Sequence, residues 1–73
     1  MRVYAVVCRD AAWHAVVPGT GQTLGWYEEK SVIVGWTCAY AKKHGGEVHV
    51  HDENGDIEDV YAFVDGGERL TRG

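Results

Sequence analysis

The chain has little basic charge, little cysteine and no long hydrophobic run, and each shortage removes a class of function. Seven Lys and Arg stand against eleven Asp and Glu, for a formal net charge of −4 at pH 7. Such a balance offers no general attraction to a phosphate backbone, and apart from Lys42 and Lys43 the basic residues are scattered, so nucleic acid is a disfavoured partner. Cys8 and Cys38 lie far apart with no CxxC spacing around either, and two cysteines do not make a disulfide framework. They read as buried free thiols, and the expected compartment is the cytoplasm. The apolar run after Arg2 is too short for the h-region of a signal peptide, and no segment approaches the length of a membrane span. Neither secretion nor membrane anchoring is expected.

Motifs that carry chemistry are also lacking. Gly19, Gly21 and Gly25 neither follow a phosphate-loop pattern nor open a helix directly. The carboxylates Asp52, Glu53, Asp56, Glu58 and Asp59 lack the spacing of an EF-hand and read as a solvated turn. Cys8 and Cys38 fall within apolar segments, away from the electropositive helix start that would activate a thiol. No catalytic residue and no cofactor is therefore assigned.

What is present describes one small α+β domain. At 73 residues the chain is near the lower limit for a core that needs no metal or disulfide. Residues 1–64 form the expected domain and 65–73 a polar, glycine-bearing flexible tail. Residues 2–8 and 12–17 read as a β-hairpin with apolar groups on both faces, hence central or covered on both sides. Pro18 and Gly19, Gly21 and Gly25 make residues 18–26 a loop or an irregular edge strand, with Trp26 and Tyr27 anchoring its far end.

From Glu28 or Lys30 to His44 the apolar period becomes helical, with Ile33, Val34, Thr37, Tyr40 and Ala41 on one face. Lys42, Lys43 and His44 suit the negative end of the helix dipole, and Gly45 or Gly46 supplies the left-handed residue that stops it. Ser31 is a late N-cap candidate. Residues 47–51 then alternate with Val48 and Val50 inward. Asn54-Gly55 predicts a type I′ turn, with Ile57, Tyr61 and Phe63 continuing the inward face. That register sets His51 beside Glu58 and His49 beside Val60.

The order of these elements resembles the domain of unknown function 2188, a family of small bacterial domains. Val6-Val7, Ala12-Trp13, Tyr40-Ala41, Gly46-Glu47, Val50-His51 and Gly55 with Ile57 carry the likeness, across residues 3–57. The resemblance implies a compact ββαββ fold, and the elements read above are expected to form a four-stranded antiparallel sheet with one helix packed on one face. It implies no activity or ligand. The chain departs from the family at the helix start, where Glu29 replaces a Thr, and on the outer helix face, which is apolar here instead of charged.

That outer face is the candidate site. Val32, Gly35, Trp36, Ala39 and Lys43 form a second stripe, in which Gly35 and Ala39 let another backbone approach and Trp36 is a natural anchor. The expected function is a non-enzymatic protein-binding module and a homodimer, since so small a chain gains core by doubling. A loop or tail folded over the stripe is the structural alternative. Small acidic chains of this sort also fit accessory or inhibitor roles, phage-borne ones included, and the acidic run 52–59 suits a basic partner.

Two other readings compete. A small nucleic-acid-binding domain, similar to integrase arm-binding domains, would expose a sheet face that here offers Trp13, His49 and His51 with little positive charge. His49 and His51 at i, i+2 spacing, with Asp52, Glu53, His14 or Glu58, suggest a metal, but solvent-facing strand histidines are commoner and no metal ligand is assigned.

Overall fold

A computed structural model of the chain describes residues 2–64 and the backbone of residues 69–72. In chain order it contains β1 (Val3–Arg9), β2 (Ala12–Val17), β3 (Gln22–Tyr27), α1 (Lys30–His44), β4 (Gly46–His51), β5 (Ile57–Phe63) and β6 (Arg69–Arg72). The strands form one mixed sheet in the order β3-β2-β1-β4-β5-β6. β1 and β4 run parallel at its centre, and every other neighbouring pair is antiparallel. The α+β class and the single helix match the expectation; the four-stranded antiparallel sheet does not. Of the tail, residues 65–68 and 73 lie outside the described residues, while Arg69–Arg72 pair with β5.

The parallel pair follows from the length of chain between its members. β2, β3 and α1 intervene, and the helix carries the chain back across the sheet so that β4 enters beside β1 in the same direction. Side-chain alternation has a period of two in either direction, so it could not signal this. The helix covers one face, where Tyr4, Val6, Ala15, Val48, Val50 and Phe63 meet Ile33 and Ala41. Val6 and Val48 are wholly buried, and each side chain of this kind stabilises the fold by about 1.5–3 kcal/mol relative to exposure. Thr37 is equally buried; its hydroxyl donates to the Ile33 carbonyl at 2.6 Å, which removes the cost of an unpaired polar group.

The two ends of α1 are held differently. Glu29 occupies the N-cap with extended backbone, but its side chain makes no capping hydrogen bond. Tertiary contacts stand in for a cap. Lys30 lies 4.6 Å from the centre of the Trp13 ring and pairs with Glu58 of β5. Trp13 therefore sits on the helix side of the sheet, not on the exposed face expected for it. At the other end the Gly45 N–H, at φ 78°, donates to the Ala41 carbonyl at 2.7 Å.

The first hairpin forms as expected, and the second corrects the expected detail. Between β1 and β2 only Asp10 and Ala11 turn, both at positive φ (50° and 61°), the condition of a type I′ turn. Between β4 and β5, Gly55 alone is left-handed (φ 91°), so Asn54-Gly55 is not a type I′ pair. Instead the Asp52 carboxylate accepts the Asn54 and Asp56 N–H groups at 2.8 and 3.0 Å. The Asp56 hydrogen bond is the main reason that the Asp52 pKa falls below the ordinary carboxylate value. A bulge between Val50 and His51 then sets His51 opposite Ile57 in place of Glu58, and leaves Ile57 exposed instead of inward. His49 does face Val60.

A left-handed alanine is costly because its Cβ crowds the following carbonyl. Ala11→Gly is expected to raise stability by about 1 kcal/mol in chemical denaturation; an unchanged or lower midpoint would show that Ala11 carries no such strain.

Candidate functional site

The structure places Val32, Gly35, Trp36, Ala39 and Lys43 together on the outward side of α1, all exposed. Val32 and Trp36 retain 44% and 43% of their surface, more than a large apolar side chain usually leaves in water. Trp36 is nevertheless not free-standing. Its ring stacks on Tyr40, with centroids 5.4 Å apart, and reaches sideways over Gly25 of β3, where a Cβ would lie 3.8 Å from it. The stripe and strand β3 thus meet where the Trp36 ring lies over Gly25, and a Cβ there would be in ordinary van der Waals contact with the ring. Part of the loop-cover alternative holds in this form, since β3 shields one flank of Trp36 and leaves the rest open.

β3 itself extends the apolar surface. Among the described residues it is an edge strand bonded only to β2, and its sequence QTLGWY contains no charge. Native edges are commonly blunted by lysine, proline or a bulge; here the device is a bulge opposite Ala15 and Val16. Trp26 and Tyr27 do not anchor a loop end as expected, but stand 60% and 49% exposed. Trp26 pairs with His14, the two rings stacked at 6.2 Å, and Tyr27 pairs with Trp13. The irregular edge strand is one of the two readings the sequence offers for residues 18–26, but Pro18 and the glycines give no reason to include it in the candidate site. The detectable signal was an uncharged hexapeptide ending in two aromatics.

The histidines do not assemble into a centre. His49 Nε2 is bound to Glu47 Oε1 at 2.8 Å, and His51 Nδ1 is 3.3 Å from the Val6 carbonyl. Among the described residues no group of three or more His, Cys, Asp or Glu is placed to hold a metal ion. The pairing of His51 with Glu58 does not form, because Glu58 turns to Lys30. Cys8 and Cys38 are unbridged and half-buried, less covered than expected. Among the described residues no helix is long and apolar enough to cross a membrane.

Compared with known proteins, the chain matches no family model, no curated protein and no solved structure. Its surface must be read from its own geometry.

Gly35 is the most informative position for that. A Cβ there would meet nothing within 4 Å, so within one molecule the residue is only a weak point of the helix. Gly35→Ala is expected to stabilise the fold by about 0.5–1 kcal/mol in thermal or urea unfolding. Loss of stability would show that the glycine is needed inside the fold rather than on its surface.

Proposed function

We propose that this domain is a non-enzymatic protein-binding module that self-associates through β3 and the adjoining outer stripe of α1. The observation that carries the reading is an uncharged edge strand with two exposed aromatics, joined at Gly25 to the exposed Trp36. A free edge presents unpaired backbone N–H and C=O groups, which a second β3 related by a two-fold axis would satisfy in antiparallel pairing. Tyr27, Val32 and Trp36 then supply the buried apolar contact, and Trp and Tyr are the residue types that dominate interface energetics. Because β3 brings no charge, two acidic chains can meet there without setting like charges opposite one another.

Gly35, Ala39 and Lys43 form the outer margin of the same surface. Membership of the domain of unknown function 2188 and a cytoplasmic location belong to this proposal. The first rests on the sequence likeness given above, the second on two unbridged thiols. An accessory or inhibitor role would use the same edge for a different protein partner.

Light scattering across a dilution series tests the proposal. The native chain is expected at twice its 8.1 kDa mass, while Trp26→Lys and Trp36→Glu are each expected as folded monomers by circular dichroism. A native chain that stays monomeric throughout, or a dimer that both substitutions leave intact, would contradict it.

A further inference from the structure

A cavity of about 320 Å³ opens between α1 and the sheet, at the end where β2 and β3 are joined. It is larger than the roughly 150 Å³ in which a protein interior can hold a benzene ring. Val17 of β2, Leu24 of β3 and Tyr40 of α1, all half-buried, form its apolar walls. Arg2 and Gln22, both exposed, make its mouth polar. Such a lining suits a side chain with an apolar body and a polar tip. Because Gln22 and Leu24 belong to β3, the cavity reaches the strand already assigned to self-association.

The register of β3 places a side chain of that kind beside it. Gln22 stands opposite Val17, Gly25 opposite Ala15 and Tyr27 opposite Trp13. Ala15 belongs to the core under the helix, and Trp13, Val17 and Leu24 pack against that core, so Gln22 and Tyr27 both lie on the helix side of the sheet. Residues 22 and 27 would fall on opposite faces of a regular strand; the bulge between Ala15 and Val16 brings them to the same one. When two β3 strands pair antiparallel over their full length about an axis perpendicular to the sheet, Gln22 of one copy stands opposite Tyr27 of the other. The helix sides then coincide, and Tyr27, 49% exposed in the single chain, arrives beside the cavity of its neighbour.

We propose that in the self-associated protein each cavity receives the Tyr27 ring of the other copy, packed among Val17, Leu24 and Tyr40 with its hydroxyl at the polar mouth. The inference rests on the β3 pairing proposed above and adds to it a reciprocal knob and hole, one at each end of the paired strands. No charge is brought to the contact by either Tyr27 or the apolar walls.

Nuclear Overhauser measurements on an equal mixture of isotope-labelled and unlabelled full-length chains, filtered for contacts between copies, test the assignment at a concentration where light scattering reports a dimer. Contacts are expected from the Tyr27 ring protons to the Val17 and Leu24 methyl groups. Within one molecule Tyr27 and Val17 sit at opposite ends of the β2–β3 pairing, roughly 15 Å apart along the strands, so a contact between them must cross between copies. Tyr27→Ala, at an exposed position, is expected to weaken the dimer at least tenfold in the dilution series, with an unchanged circular dichroism spectrum. A dimer that lacks the Tyr27 to Val17 contact, or a Tyr27→Ala chain that dimerises with native affinity, would overturn the knob and hole and leave the edge pairing standing. A native chain that is monomeric at every concentration would overturn both.

Discussion

The parallel contact of β1 with β4 is the constraint on which the rest of the molecule depends. Tyr4 stands beside Val48 and Val6 beside Val50, so the two central strands share one apolar row under the helix. The contact begins where the chain leaves α1. The Glu47 N–H donates to the Arg2 carbonyl at 2.9 Å, and a Cβ on Gly46 would lie only 2.7 Å from that same carbonyl. Gly46 also adopts φ 137°, a conformation closed to other residues. The pair of glycines after the helix therefore does two things: Gly45 ends α1, and Gly46 lets β4 dock against the first residues of the chain.

Much else follows from that docking. With β4 on one side of β1 and β2 on the other, β3 is left as an edge. The helix must cross above the central strands, which sets Ile33, Thr37 and Ala41 downward and turns Val32, Trp36 and Ala39 outward. Its N-terminus has no side-chain cap, and the contacts of Lys30 with Trp13 and Glu58 fix it from two different strands. A recess lined by Tyr4, Val17, Leu24 and Tyr40 lies between the helix and strands β1, β2 and β3. One central contact thus positions the proposed protein surface.

Legibility in the sequence tracks how local each feature is. The β1–β2 hairpin, the buried stripe of α1, the basic last turn with its glycine stop, and the inward Val48 and Val50 are all encoded within a few residues, and the sequence shows each of them. The outer stripe was legible for the same reason, because a helical period places Val32, Gly35, Trp36 and Ala39 together whatever they touch. The direction of β4 was not, since it depends on a partner far away in the chain and leaves no mark on alternation. Ile57 was misread because a one-residue bulge reverses the face of a strand, and the Asp52 carboxylate selected a different turn from the one Asn54-Gly55 suggests. β3 was legible as one of two readings, a loop or an irregular edge strand, because Pro18, Gly19 and Gly21 break the pattern just before it; the structure shows the irregular edge strand. The recess around Tyr4 draws its walls from four elements, and no stretch of sequence announces it.

Amide hydrogen exchange, followed residue by residue at low and high protein concentration, addresses the central claim most directly. A sheet closed by β1 and β4 with β3 as its adhesive edge predicts slow exchange for the β1 and β4 amides at every concentration. It also predicts that the β3 amides not bonded to β2 are fast when dilute and gain protection as concentration rises. Rapid exchange in β4 would contradict the parallel centre, and β3 protection that ignores concentration would contradict its role as the contact edge.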